Sequence, residues 1–308
     1  MKHSSLYILT IVIIVSGLVA SAARLFDTSV GQPYNFVNQY GDVVKIYGQG
    51  VYAHDSFFRA PIFRGTDFTM FFLGCPLLII SLILDIRKKS LKTRLLLVSV
   101  IASFTYYAAN IAFGIAYNYL HLVYILLFST SLFGLIVGMR SINYDEVQKH
   151  SGNTLPSAGV NIFLVFTGIA LFVAWLPDII SSLINKRPLA LIETYTTEVT
   201  YVLDMGIIAP LSFICLFLLR QRKGIGFVLL EMLITLCIII GIMLPVQTLF
   251  QMRAGIELPM PALITKLASF CLLALFAIYF KVQSSRNISN GKETTSGRNY
   301  FSKSVYIH

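Results

Sequence analysis

Charged side chains are scarce in this chain of 308 residues. They make up 12% of the sequence, against roughly 25% in a typical soluble domain. Hydrophobic residues account for 56%, and the mean hydropathy is +0.76. So little charge leaves too little polar surface to cover a globule in water. The composition therefore excludes an ordinary soluble protein and indicates one that is dissolved in a lipid bilayer.

Signatures of catalysis and cofactor binding are also missing. The sequence has no Walker loop, no HExxH, no G-x-S-x-G, no dinucleotide-binding glycine fingerprint and no CxxC pair. Its five histidines are too dispersed for a three-histidine zinc site. We therefore predict no cofactor and no metal, and the sequence leaves open whether the protein is an enzyme. The four cysteines all fall within apolar runs, where a free cysteine acts mainly as a small hydrophobe; they are Cys75, Cys215, Cys237 and Cys271.

Long apolar runs are what the sequence has in abundance. A helix needs about 20 apolar residues to cross a bilayer. The runs are continuously apolar, whereas strands of a membrane barrel alternate polar and apolar residues, so we predict helices. The predicted fold is all-α, a polytopic bundle of transmembrane helices. The eight predicted spans are Leu6–Ala23, Asp67–Ile86, Leu95–Ala116, Tyr119–Met139, Val160–Ile184, Thr200–Leu219, Ile225–Phe250 and Pro261–Phe280.

The first apolar run has two interpretations. Lys2 before it and Ala20-Ser21-Ala22 at its end fit a signal peptide with a cleavage site. Cleavage would leave seven spans instead of eight. Counted through Ala23, however, the run is long enough to span the bilayer, so we favour its retention.

The net charge of +10 is spread unevenly over the loops. With the N-terminus in the cytoplasm, most of the basic residues fall on one side, in Arg87–Arg94, in Arg220–Lys223 and in the C-terminal tail. Such an excess is typical of cytoplasmic loops. We therefore predict that both termini are cytoplasmic, that the protein lies in the cell (cytoplasmic) membrane with the lipid bilayer as its partner, and that it binds no nucleic acid. Its oligomeric state stays open.

We divide the chain into a bundle, residues 1–282, and a polar tail, residues 283–308, that lacks periodicity and is predicted to be disordered in the cytoplasm. The bundle carries one large extracytoplasmic loop, Arg24–Thr66. Two β-prone stretches lie within Val43–Tyr52 around a Gly-Gln-Gly turn, which predicts a hairpin or a structured cap. An ordinary connecting loop is the alternative.

A weak internal repeat is also visible. Pro210 lies 134 residues after Pro76, and each proline precedes an apolar stretch and a basic turn. A parallel repeat of four spans would fit, because transporters often contain repeats. Convergent use of proline and basic flanks explains the similarity equally well.

The functional prediction depends on polar residues within the spans. Ionisable groups at membrane depth are costly and usually face a cavity or a partner. In the predicted topology they lie in the outer third of the bilayer, together with uncharged polar groups at helical spacing. The candidate ligand-binding residues are Asp67, Tyr106, Asn110, Tyr117, His121, Asp178, Glu198, Tyr201, Asp204 and Lys266. The alternative is structural, since residues near the end of a span can reach lipid headgroups and Lys266 can neutralise Asp178 or Asp204.

Three functions remain open. The first is a transporter or receptor-like binder of a small molecule or lipid headgroup; the excess of carboxylates over lysine favours a cationic or polyhydroxylated ligand. The second is a membrane enzyme acting on a lipid headgroup at the outer leaflet, with Asp178 or Asp204 as general base and His121 as acid or electrophile. The third is an assembly factor whose large loop meets a partner protein. By a small margin, we favour the first.

Overall fold

The computed structural model describes residues 2–27, 29–151, 158–257, 268 and 270–281. Its helices are α1 (Lys2–Phe26), α2 (Arg59–Thr69), α3 (Cys75–Lys88), α4 (Leu91–Gly114), α5 (His121–Arg140), α6 (Tyr144–Ser151), α7 (Ala158–Asn185), α8 (Val199–Leu203), α9 (Ala209–Arg220), α10 (Gly224–Arg253) and α11 (Phe270–Lys281). Two strands, β1 (Tyr34–Val37) and β2 (Val43–Ile46), form an antiparallel hairpin.

The all-α membrane prediction is confirmed in its main features. Of the described residues, 77% are helical, and seven helices among them are long and apolar enough to cross a membrane. Each overlaps one of the first seven predicted spans. Helix α11 is shorter and coincides with the end of the eighth predicted span, whose first part, residues 261–267, lies outside the described residues together with residue 269. The predicted tail, residues 283–308, lies wholly outside them.

The loop between the first two spans is shorter than we predicted. Helix α1 continues to Phe26 and α2 begins at Arg59, so the second span runs from Arg59 to Lys88 rather than from Asp67. Arg59 and Arg64 lower the hydropathy of this first part of the span, but partners accommodate both side chains. Arg64 donates to the hydroxyl of Tyr47 and to the carbonyl of Leu25. Hydropathy alone therefore placed the boundary too late.

The predicted hairpin exists, but its turn is elsewhere. The turn joins Val37 to Val43, with Asn38 Oδ1 accepting from the backbone N–H groups of Tyr40 and Asp42. The Gly-Gln-Gly stretch instead leads into a short 3₁₀ turn, Gly50–Tyr52. Gly48 and Gly50 both have positive φ values, which glycine adopts without strain. We call this side of the bundle the hairpin end, and the side of Arg87–Arg94 and Arg220–Lys223 the basic end.

Proline explains two irregularities that divide spans of the bundle. A proline ring collides with the carbonyl four residues earlier in a regular α-helix. For Pro76 and Pro210 those residues are Phe72 and Gly206, and each lies inside a π-helical turn, Met70–Gly74 and Asp204–Ile208. The wider turn relieves the collision. Spans that are interrupted in this way frequently lie at functional sites.

The two π-helical turns repeat the spacing of the two prolines that cause them. Asp204–Ile208 follows Met70–Gly74 at the same spacing of 134 residues that separates the prolines. The order of elements agrees as well: a span, a loop at the hairpin end, a span with a π turn, a basic turn, and a further span. The duplication stays a prediction; we call α1–α5 the first half of the bundle and α7–α11 the second.

The halves interlock through their interrupted spans. Helix α2 of the first half packs against α10 of the second, and α8 of the second half packs against α4 of the first. At the first contact Gly65 leaves no space, because a Cβ atom there would lie 2.5 Å from the Cα atom of Gln247. At the second contact Gly114 faces Val199, the residue 134 positions after Gly65.

Ion pairs and apolar packing close the basic end. Asp85 on α3 accepts from Arg94 on α4 at 2.7 and 2.9 Å, and Glu231 on α10 pairs with Lys281 on α11. Between them lies a cluster of buried apolar side chains from both halves, which includes Val98, Phe163 and Leu233. An opening in the bundle is found instead towards the hairpin end.

Candidate functional site

A cavity of about 470 Å³ lies between the two halves of the bundle. It runs from Arg59 and Gln251 near the hairpin end down to Ser103 and Cys237 in the spans. Its walls come from α2, α4, α7, α10, α11 and the interrupted span α8–α9. Apolar and aromatic side chains dominate the lining, and a few polar groups converge within it.

Asp204 is the charged centre of this cavity. It begins the π-helical turn of the second half and is almost fully buried. The hydroxyl of Tyr106 donates to Asp204 Oδ1 at 2.8 Å, and the indole Nε1–H of Trp175 donates to Oδ2, also at 2.8 Å. Three spans thus meet at one carboxylate. Trp175 also stacks on Tyr201, with ring centroids 4.5 Å apart, so an aromatic wall stands beside the charge.

Two hydrogen bonds join the halves along the cavity, and each involves a threonine at an equivalent position of its half. Thr66 on α2 accepts from the amide of Gln247 on α10 at 2.7 Å. Thr200, 134 residues after Thr66, donates to the amide oxygen of Asn110 on α4 at 3.1 Å. All four side chains line the cavity. The cavity therefore occupies the interface where the two halves face each other.

The halves differ where the cavity is most polar. The position equivalent to Asp204 in the first half is Met70, and both residues line the cavity. Similarly, Tyr106 on α4 corresponds to Ile240 on α10. The carboxylate and its hydroxyl donor thus have apolar counterparts.

Arg59 forms the wall of the cavity at the hairpin end. Its guanidinium group pairs with Glu198 and lies 3.7 Å from Glu193, while Nη2 donates to the carbonyl of Leu191 at 2.7 Å. The guanidinium carbon lies 4.3 Å from the ring centroid of Tyr195. Burial raises the pKa of Glu193 above its usual range, although Ser56 and Arg59 oppose that rise. The wall therefore holds one arginine between two acidic residues.

The structure brings half of the predicted candidates together. Five of them line the cavity: Tyr106, Asn110, Glu198, Tyr201 and Asp204. Asp178 lies just beyond it, where its Oδ2 accepts from the hydroxyl of Tyr201 at 2.8 Å. Lys266 lies outside the described residues.

Asp67 belongs to a different, closed cluster. It is fully buried and pairs with Arg24 of α1 at 2.5 Å. Tyr52 and Tyr107 donate to its carboxylate at 2.5 and 3.4 Å. The ring centroids of Tyr52, Tyr107 and Tyr124 lie 5.1–5.9 Å from the guanidinium carbon of Arg24. We interpret this cluster as a structural connection between α1, α2 and the loop that precedes α2.

Tyr117 and His121 lie apart from the cavity as well. Helix α4 ends at Gly114, so Tyr117 does not continue the face of Tyr106 and Asn110. Its side chain is 77% exposed, and its ring lies 5.3 Å from that of His121. His121 in turn contacts the ring of Tyr124. The proposed pairing of His121 with Asp178 or Asp204 in acid–base catalysis therefore receives no support from the described side chains.

Neither the family models nor the curated proteins nor the solved structures contain a match to this chain. The site must therefore be judged by its geometry. In the described part of the chain, no group of three or more histidine, cysteine or acidic side chains could hold a metal ion.

Several residues that build the cavity have no clear signal in the sequence. Arg59 lies in the predicted loop Arg24–Thr66, and no pattern in the sequence singles out Trp175. Trp175 is the single tryptophan of the chain, and it also provides a spectroscopic probe within the site. The repeat offset was the one signal that pointed to Thr66, because it aligns this residue with Thr200.

Proposed function

We propose that this multi-pass membrane protein binds a small amphipathic molecule in the cavity between its two halves. The apolar part of the ligand packs on the aromatic wall, and its hydrogen-bond donors, from an amine or from hydroxyl groups, meet Asp204. We further propose that the protein lies in the cytoplasmic membrane with its hairpin end outside, because the basic loops lie at the other end.

The main observation behind this proposal is that an enclosed, largely apolar cavity holds a carboxylate. Ligand cavities usually measure about 300–1,000 Å³ and combine apolar walls with a few fixed polar groups. The cavity here, about 470 Å³, is within that range. Tyr106 and Trp175 fix the orientation of Asp204. A site that fixes an acceptor in advance avoids the cost of ordering it when a ligand binds.

The chemistry of the lining favours a donor-bearing ligand over an anion. Carboxylates accept hydrogen bonds and do not donate them when ionised. Asn110 and Gln247 add amide groups on the two facing halves. The stacked rings of Trp175 and Tyr201 offer an apolar and electron-rich surface that suits either an aliphatic body or an ammonium group.

The experiment is a fluorescence titration with three probes that share one phenyl ring. Benzylamine, benzyl alcohol and benzoate carry a cationic donor, a neutral donor and an anionic acceptor. Emission of Trp175, recorded for the protein in nanodiscs, reports binding. We expect a saturable change with benzylamine or benzyl alcohol and none with benzoate. Asp204→Asn should weaken donor binding by about tenfold, the usual effect of one lost hydrogen bond to a charged group.

The matched control is Asp27→Asn, which removes a carboxylate from the loop after α1, away from the cavity. It should leave the titration unchanged. Tyr106→Phe keeps the ring and removes one donor to Asp204, so it provides a milder test if Asp204→Asn does not fold. Equal binding of all three probes, or donor binding that survives both cavity variants, would reject the proposal.

A further inference from the structure

A second depression lies directly outside the cavity, at the hairpin end. This groove is formed by the hairpin on one side and by the end of α7 on the other. Its lining is mainly polar and includes Asp42, Lys45, Asn185, Lys186 and Arg187. The groove is therefore a hydrated surface, whereas the cavity behind it is largely apolar.

A single layer of side chains separates the groove from the cavity. Phe58, the residue before α2, lines both spaces. Beside it, the hydroxyl of Tyr201 in the cavity donates to Asp178 in the groove. Arg59 in the cavity wall lies between Glu198 on the cavity side and Glu193 on the groove side. We call Phe58, Arg59, Tyr201 and Asp178 the partition.

The partition draws its parts from both halves of the bundle. Phe58 and Arg59 belong to the first half, whereas Tyr201, Asp178 and the two glutamates belong to the second. Gln251 on α10 also donates to the carbonyl of Phe58 at 3.2 Å. A small separation of the halves at the hairpin end would break these contacts together, while the apolar cluster and ion pairs at the basic end stay intact.

We propose that the cavity is loaded from the polar groove through this partition. This inference rests on the proposed function and narrows it, because a ligand that arrives through a hydrated groove is a water-soluble amine or polyol rather than a membrane lipid. Opening exchanges two ion pairs and a few hydrogen bonds for contacts with water. Local openings of this kind occur in native proteins without global unfolding.

The native thiol of Cys237 allows a test that needs no ligand. Cys237 lines the inner part of the cavity and is partly exposed to it. In a background with Cys75, Cys215 and Cys271 replaced by alanine, it is the single cysteine. The probe is trimethylammonioethyl methanethiosulfonate, a charged reagent that does not dissolve in lipid. Its rate of reaction with Cys237 in nanodiscs, followed by mass spectrometry, measures access from water.

We expect slow labelling of the parent protein and faster labelling when the partition is weakened. Phe58→Ala removes the shared wall, and Tyr201→Phe removes only the hydrogen bond to Asp178. Tyr201→Phe should raise the rate by about tenfold, since a hydrogen bond to a carboxylate stabilises the closed state by about that factor, and Phe58→Ala should raise it at least as much because it opens the shared wall. Phe57→Ala is the matched control, because Phe57 lines the groove but not the cavity. It should leave the rate unchanged.

Unchanged labelling in Phe58→Ala and Tyr201→Phe would overturn the proposal, and so would an equal increase in Phe57→Ala. Phe58→Leu replaces Phe58→Ala if the latter does not fold. These outcomes are independent of the titration with Trp175. If the partition variants raise labelling but no probe binds, the access route stands and the ligand assignment fails. If donor probes bind but labelling is unaffected, the ligand assignment stands and the route is wrong.

Discussion

Replacing Arg24 with methionine should lower the free energy of unfolding by about 3–5 kcal/mol, the usual cost of leaving one partner of a buried ion pair without its counter-charge. Both side chains of the Arg24–Asp67 pair are 0–1% exposed. Methionine fills much of the space of the arginine stem but leaves the carboxylate of Asp67 buried with only hydroxyl donors, from Tyr52 and Tyr107. Unfolding with increasing amounts of a denaturing detergent, followed by circular dichroism, measures this loss of stability.

A double variant distinguishes the lost ion pair from general damage to the packing. Arg24→Met with Asp67→Asn removes both charges, and the new amide oxygen can still accept from Tyr52. Because no charge is then left buried, most of the lost stability should return. If the double variant loses as much stability as the two single variants together, the two side chains do not depend on each other.

The second large effect concerns pH. The protein should lose stability as the pH rises from about 4 to about 7, and Asp55→Asn should reduce this dependence. Burial raises the pKa of Asp55 from 3.8 to about 7, although donors from Ala116 and Tyr195 and the charges of Arg24 and Arg59 oppose the rise. Tyr124 on α5 also lies within electrostatic range of this carboxyl group.

The geometry explains why the folded protein retains the proton. Asp55 Oδ1 accepts from the backbone N–H of Ala116 at 2.9 Å and from the hydroxyl of Tyr195 at 2.8 Å. Its Oδ2 is buried without a hydrogen-bond partner among the described residues. A proton on Oδ2 avoids an uncompensated charge there. Asp55 thus connects the loop before α2 to the loops that follow α4 and α7.

The sign follows from proton binding. Between pH 4 and pH 7 the folded state holds a proton on Asp55 that the unfolded state releases, so stability is present below the unfolded pKa and is lost as the pH approaches 7. A shift of this size corresponds to about 4 kcal/mol at most. Thermal unfolding in detergent at a series of pH values measures it. A weaker slope of the same sign should remain in Asp55→Asn, because the pKa of Glu193 is raised as well.

Asp27→Asn is the matched control for this experiment. Hydrogen bonds from Ser29 lower the pKa of Asp27, so its proton is bound and released below the window of interest. The pH dependence should be unaffected. If stability depends on pH equally in Asp55→Asn and in the parent protein, Asp55 is ionised in the folded state at neutral pH.

Much of the fold could be predicted from hydropathy, because membrane spans must be both long and apolar. The boundary at Arg59 shows where that reasoning stops. Hydropathy counts an arginine as unfavourable, but Arg59 and Arg64 have acidic, hydroxyl and carbonyl partners that come from distant parts of the sequence. The π-helical turns show that the sequence also contains a signal for irregular helix geometry. Both follow from the prolines at positions 76 and 210, whose equivalence was visible in the sequence.

The depth of the candidate site in the membrane could be predicted from the sequence, but the direction in which each side chain points could not. Polar residues from several spans do lie towards one end, yet depth alone does not say which side chains face one another. Asp67 and Asp204 lie in equivalent interrupted spans, and they point into separate clusters. The difference depends on rotation about the helix axis, which the packing of α2 on α10 and of α8 on α4 determines. Those contacts join the two halves of the chain and have no local sequence signal.

The most direct test of the proposed binding site locates a bound ligand by its anomalous X-ray scattering. Crystals of the protein soaked with 4-bromobenzylamine should show an anomalous bromine peak in the cavity, against the stacked rings of Trp175 and Tyr201. The amine should lie within hydrogen-bond distance of Asp204. The peak should be absent from crystals of Asp204→Asn soaked in the same way. Bromine bound only among lipid-facing side chains, or equally in both crystals, would contradict the assignment of this cavity as the binding site.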